Sequence, residues 1–166
     1  MAALEEAIIK RVLPHSIEAE QSVIGSMMID REAIVVASEV ITGEDFYNKQ
    51  YGVVFETMVE LHEGGKPVDL VTLQDKLKEK DVPAEVSSLE FVRDIITAVP
   101  TSANIRHYAN IVAEKSILRK MIRLNEEIEN LCYSGKESIE FILEDALRAE
   151  ELLGFRQSSE SVFIKN

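Results

Sequence analysis

The chain has 166 residues, of which 46% are hydrophobic and 29% charged, the balance of a folded globular protein rather than a disordered or membrane-embedded one. Lys and Arg number 18 against 30 Asp and Glu, a net charge of -12; such a surface disfavours direct nucleic-acid binding, which depends on cationic side chains displacing condensed counterions. No apolar run approaches the roughly 18 residues of a membrane span, and the amino terminus lacks the basic-then-apolar order of a signal peptide, so the sequence reads as cytosolic.

Residues 1–13 form a short leader that ends at Pro14. Ser16 can then cap a helix from Ile17 to Ile29, with Glu18 and Glu20 placed favourably in its first turn against the helix dipole. Asp30 caps a second helix, Arg31 to Ile41, in which Ile34, Val35, Ser38 and Ile41 keep helical spacing despite the β-branched pair Val35-Val36. After the break at Thr42-Gly43, the residues Tyr51, Val54, Phe55, Met58 and Leu61 repeat at helical intervals until Gly64-Gly65 stops them. Asp69 caps a shorter helix with Leu70, Leu73 and Leu77 on its apolar side, closed by Pro83. Ser87-Ser88-Leu89-Glu90 has the capping-box pattern, and Leu89, Val92, Ile96 and Val99 make the stripe that follows. Phe91 sits off that stripe, so it either plugs a second seam or stands as an exposed anchor.

Pro100-Thr101 marks the strongest boundary, because from Ser102 to Tyr133 there is neither Gly nor Pro, and a helix of that length spans about 48 Å. Within it Ile117, Met121, Leu124, Ile128 and Leu131 alternate four and three apart, the seam of helices packed side by side, and Leu118 and Ile122 widen it into a second face. Ser134-Gly135-Lys136 is a short connection to a helix in which Ile139, Ile142, Ala146, Ala149 and Leu153 recur before Gly154. Helices joined so briefly run antiparallel. The expected fold is therefore all-α: a small helical head over 14–100, a long antiparallel helical hairpin over 101–154, and a linker starting at 155–166. A hairpin has two apolar edges and one partner helix of its own, so its spare edge favours self-association, making it a dimerisation arm.

The residues for chemistry are sparse. The nearest approach to a phosphate-binding loop is Gly64-Gly65-Lys66-Pro67, with Pro67 where a hydroxyl is needed and Glu60 where the first Gly belongs, so it reads as a helix stop. Glu126, Glu127 and Glu129, like Glu144, Asp145, Glu150 and Glu151, interleave with seam residues and read as a solvated face. His15, His62 and His107 are scattered, and Cys132 reads as a small apolar side chain on a helix. Catalytic, cofactor and metal sites are all expected to be absent from this chain. Two alternatives to a docking domain remain open at this level: a stand-alone helical adaptor, and a metal-dependent hydrolase built on the hairpin carboxylates.

The segment Leu13-Pro14-His15-Ser16-Ile17-Glu18-Ala19-Glu20-Gln21-Ser22-Val23-Ile24-Gly25 resembles the start of the bacterial replicative DNA helicase of the DnaB type. Asp45-Phe46-Tyr47, Pro67-Val68-Asp69-Leu70-Val71-Thr72-Leu73, Val99-Pro100-Thr101-Ser102-Ala103-Asn104-Ile105 and Tyr108-Ala109-Asn110-Ile111-Val112-Ala113-Glu114-Lys115-Ser116-Ile117-Leu118-Arg119 continue the likeness in order and spacing. The resemblance implies a non-catalytic collar: hairpins that pair, dimers that assemble three to a hexameric ring, and a docking site for the carboxy-terminal domain of primase. A helicase loader is a further candidate partner, and no direct nucleic-acid or membrane contact is implied for this domain. ATP and Mg belong to the motor of the full-length parent, an ATP-dependent 5'-3' DNA helicase. Carried over by motif, the primase interface is Phe91, Ile122 and Ile128, while Ile117, Leu118, Met121, Leu124, Leu131, Ile139, Ile142, Ala146, Ala149 and Leu153 serve hairpin and dimer packing.

Overall fold

The computed structural model describes residues 11–97 and 104–164, with side chains through residue 151 other than Leu89. Among these are seven α-helices, one 3-10 turn and no strand: α1 (Ile17–Ile29), α2 (Arg31–Val40), the turn Gly43–Asp45, α3 (Lys49–Glu63), α4 (Leu70–Glu79), α5 (Leu89–Thr97), α6 (Ile105–Ser134) and α7 (Ile139–Ile164). The fold is all-α, a helical head followed by a long helical hairpin, as expected from the periodicity.

The head is the compact unit that ends at Ser116, and the hairpin begins at Ile117, so the division falls inside α6. The expected boundary at Pro100-Thr101 lies outside the described residues. The head extends beyond it because Ile105, Ala109, Val112 and Ala113, one face of the first turns of α6, are buried in the head core. α1 is the central element of the head, with α2, α3 and α5 packed against it. It buries Ala19, Glu20, Val23, Ile24, Gly25, Ser26 and Met27, positions that run around most of the helix, as a core helix must.

Helix ends follow local chemistry. The Ser16 hydroxyl accepts the Ala19 N–H at 3.2 Å. Asp30 joins two helices: its own N–H donates to the Ser26 carbonyl at the end of α1, and its carboxylate accepts the Glu32 N–H at the start of α2. At the end of α3, Gly65 adopts φ +69°, which lets its N–H reach the His62 carbonyl and the Lys66 N–H reach the Leu61 carbonyl. Gly64-Gly65-Lys66 is therefore a left-handed helix stop. α3 also passes so close to the 3-10 turn that a Cβ on Gly52 would collide with the Gly43 carbonyl.

Two elements depart from the sequence expectation. α4 ends at Glu79, before Pro83 is reached. α5 begins one residue later than the Ser87 capping box predicts: the Ser88 hydroxyl accepts the Phe91 N–H at 3.2 Å, while the Ser87 hydroxyl donates to the Ala84 carbonyl. Packing on α1 and α4 buries Val92 and Ile95 fully, and Phe91 and Ile96 flank them, half-buried. Val99 lies outside the described residues.

Two buried carboxylates fix the remaining joints. Glu20, 1% exposed in the first turn of the core helix, accepts the N–H groups of Tyr47 and Asn48 at 3.0 Å each, immediately ahead of α3. Asn48 then caps α3 through the N–H groups of Gln50 and Tyr51. Asp45, equally buried, accepts the Thr42 N–H at 2.8 Å through one oxygen and the Ser116 hydroxyl at 2.7 Å through the other, which ties the 3-10 turn to α6.

Glu20→Gln, which presents an amide donor to one of the two N–H groups, is expected to lose about 2 kcal/mol of unfolding free energy in urea. A loss within error of zero would show that these bonds do not hold α3 in place. At the exposed cap of α4, the Thr72 N–H chiefly holds the Asp69 carboxyl below its ordinary 3.8. The cap therefore contributes above pH 3.8 and is lost as the pH falls through the lowered value. The stability difference between the wild type and Asp69→Ala is expected to shrink on that acidification, as measured by denaturation at each pH.

Candidate docking surfaces

In the head unit, the region around Phe91 is built by α1, α3 and α5. The Phe91 ring lies 6.0 Å from the Tyr51 ring, and the Tyr51 hydroxyl accepts a hydrogen bond from the Gln21 amide at 2.8 Å. Phe91 is thus a half-buried residue whose ring packs on the head core, with one side at the surface. The His15 ring stacks on Tyr47 with centroids 3.9 Å apart and planes 9° from parallel, and His15 Nδ1–H donates to the Leu13 carbonyl at 2.6 Å. This stack lays the segment before α1 against the start of α3.

Ile122 and Ile128 belong to the hairpin unit, Phe91 to the head. Both isoleucines are half-buried on α6. Of the residues expected to pack the hairpin, Ile117, Leu124 and Leu131 on α6 and Ile142 and Ala146 on α7 are half-buried, and Ala149 is buried. The turn between the helices carries Gly135 at φ +62°, and the Ser138 hydroxyl caps α7 by accepting the Phe141 N–H. α7 continues through Gly154 to Ile164, so the expected helix end at Gly154 is replaced by continuous helix. The Leu153 side chain lies outside the described ones.

Met121 was expected in the inner seam, and Ile139 in the α7 packing stripe, yet they are 43% and 72% exposed, as Leu118 is 42%. The physical reason is rotational. Leu118 and Met121 lie to one side of Ile117, Leu124 and Leu131, on average roughly a quarter turn around the helix, and on α7 the stripe Ile139, Leu143 and Leu147 lies a similar rotation from Ile142, Ala146 and Ala149. Because the helices run antiparallel, these rotations bring both stripes to the same side of the hairpin. Leu143 and Leu147, 58% exposed each, were not singled out from the sequence, although their spacing from Ile139 in steps of four was the signal that could have found them.

The outer apolar face is bordered by exposed carboxylates, among them Glu129, Glu140 and Glu150. Cys132 lies on α6 and is exposed. Among the described residues, no group of three or more His, Cys, Asp or Glu side chains is placed to hold a metal ion, which leaves the hydrolase alternative without a donor set there. Among those residues no helix is long and apolar enough to cross a membrane.

A family model described as the DnaB-like helicase N terminal domain matches residues 12–114. The replicative DNA helicase DnaB of Geobacillus stearothermophilus is 36% identical over 163 residues, covering 98% of this chain, which spans only 36% of that relative's length. The crystal structure of the N-terminal domain of DnaB helicase from Mycobacterium tuberculosis superimposes with a TM-score of 0.79 at 30% identity, over 84% of this chain and 99% of that one. The N-terminal domain of DnaB helicase from Helicobacter pylori, described together with its interactions with primase, matches at a TM-score of 0.60 and 26% identity over 70% of this chain and 90% of its own. Matched by the family model over more than half its length and alike in fold, the chain belongs to the DnaB-like helicase N-terminal domain family.

Proposed function

We propose that this chain is the collar domain of a replicative DNA helicase, supporting assembly of a hexamer as a trimer of dimers and docking primase at the replication fork. The observation that carries the assembly half is the apolar outer face of the hairpin, Leu118, Met121, Ile139, Leu143 and Leu147, too large a hydrophobic stripe for a solvent-facing surface without a partner. The docking half is supported by the family membership and by the primase interactions described for the Helicobacter pylori domain.

The mechanism is differential contact rather than chemistry. Collar packing limits the arrangements open to a ring, and a primase domain that touches one arrangement better than another shifts the population toward it. In the same reading, the full-length protein is an ATP-dependent 5'-3' helicase of the bacterial cytoplasm, with ATP and Mg held by its motor, and a helicase loader engages the same amino-terminal part. The candidate primase contacts are Phe91, Ile122 and Ile128, all with apolar surface left partly open. The net charge of -12 suits a partner surface with basic patches.

Calorimetric titration of this chain with the carboxy-terminal domain of its cognate primase tests the docking half. Saturable heat is expected, with fewer than one primase domain per chain; absence of binding by a folded chain would remove primase docking from the proposal. Phe91→Ala is expected to weaken that binding, and also to cost about 1–2 kcal/mol of stability because its ring packs on Tyr51. Affinities are therefore compared at a temperature where both proteins are fully folded.

A further inference from the structure

The surface around Phe91 contains a polar group whose hydrogen-bonding capacity is only partly used. The Tyr51 hydroxyl accepts the Gln21 amide at 2.8 Å, in a bond that is not fully buried. A phenol hydroxyl also carries one proton to donate, and among the described residues none accepts it. We infer that Tyr51 donates this hydrogen bond to a neutral carbonyl oxygen of the docked primase domain, and so helps to select the partner at the Phe91 surface. The inference rests on the docking reading given above and adds a polar contact beside the apolar one.

Three helices hold the hydroxyl in place. Asn48 fixes the first turn of α3 by accepting the Tyr51 N–H, the Phe91 ring of α5 lies 6.0 Å from the Tyr51 ring, and Gln21 of α1 reaches the phenol oxygen. With Tyr51 only 8% exposed, its ring is confined and the donor is set before a partner arrives. Docking on Phe91 then strips water from the hydroxyl. A proton left there without an acceptor costs free energy, so a partner that offers only apolar surface at that point is rejected. Charge narrows the acceptor. The charged side chains one helical turn from Gln21 and from Phe91 are the exposed carboxylates Glu18 and Asp94. They repel an anionic acceptor, which leaves a neutral carbonyl, of the backbone or of Asn or Gln, as the group that fits.

Tyr51→Phe keeps the ring and removes the proton. Calorimetric titration with the carboxy-terminal domain of the cognate primase, at a temperature where circular dichroism finds each chain fully folded, is expected to give about tenfold weaker binding for this variant. Gln21→Leu keeps the proton and removes only the group that orients it, so a loss of about threefold or less is expected. Native-like binding by Tyr51→Phe overturns the hydroxyl contact, and weaker binding by Phe91→Ala in the same series leaves docking itself standing. A loss for Gln21→Leu as large as that for Tyr51→Phe also overturns the contact, because binding then needs the bond between α1 and α3 rather than the proton. Absence of binding by the folded, unaltered chain removes the docking reading, and this inference with it.

Discussion

The head depends on one buried carboxylate. Glu20 is buried in the first turn of the central helix, where a charged side chain is costly unless every oxygen is satisfied, and it meets that condition by accepting two backbone N–H groups just ahead of α3. The bond couples two elements that hydrophobic packing alone would allow to slide. Because the N-terminus of a helix carries partial positive charge, the same carboxylate that closes the backbone donors also favours the dipole of α3. Once α3 is fixed, Tyr51, Val54, Phe55, Met58 and Leu61 fall onto the core side, and Gly52 can approach the 3-10 turn. Asp45 extends the same logic to α6, fastening the Ser116 hydroxyl at the point where the helix leaves the head.

The two units solve different problems. The head closes a core with side chains from six helices and needs no further cover for it. The hairpin has two helices, enough for one shared interior, and its second apolar side is left to the surface. That asymmetry is why the account places assembly in the hairpin and why the head carries the half-buried Phe91, whose ring is held by Tyr51 and therefore presented in a fixed orientation. An aromatic side chain fixed in this way loses less conformational freedom on binding than a mobile one.

Much of the head was legible because its signals are local. Ser16, Asp30 and Asp69 cap helices through partners two or three residues away, and Gly64-Gly65 stops α3 by backbone geometry that any sequence window contains. What sequence periodicity could not supply was the role of Glu20, read as a first-turn residue favourable to its own helix dipole; its partners lie 27 and 28 residues away. The burial of Ile95 on α5, outside the expected stripe, was missed for a related reason: which side of the helix turns inward is decided by α1 and α4. On the hairpin, Ile117, Leu124, Leu131, Ile142 and Ala146 are half-buried and Ala149 is buried. Met121 and Ile139 were assigned to hairpin and dimer packing together with these, because a strip of alternating spacings does not distinguish a helix's inner edge from its outer one.

The central claim is that the outer face of the hairpin is a contact between chains. Light scattering of Leu143→Glu beside the unaltered chain addresses it most directly, since Leu143 is 58% exposed and its replacement leaves the hairpin interior untouched. A dimeric mass is expected for the unaltered chain and a monomeric mass for the variant, with unchanged helicity and thermal melting of the head. Equal masses for the two proteins would contradict it.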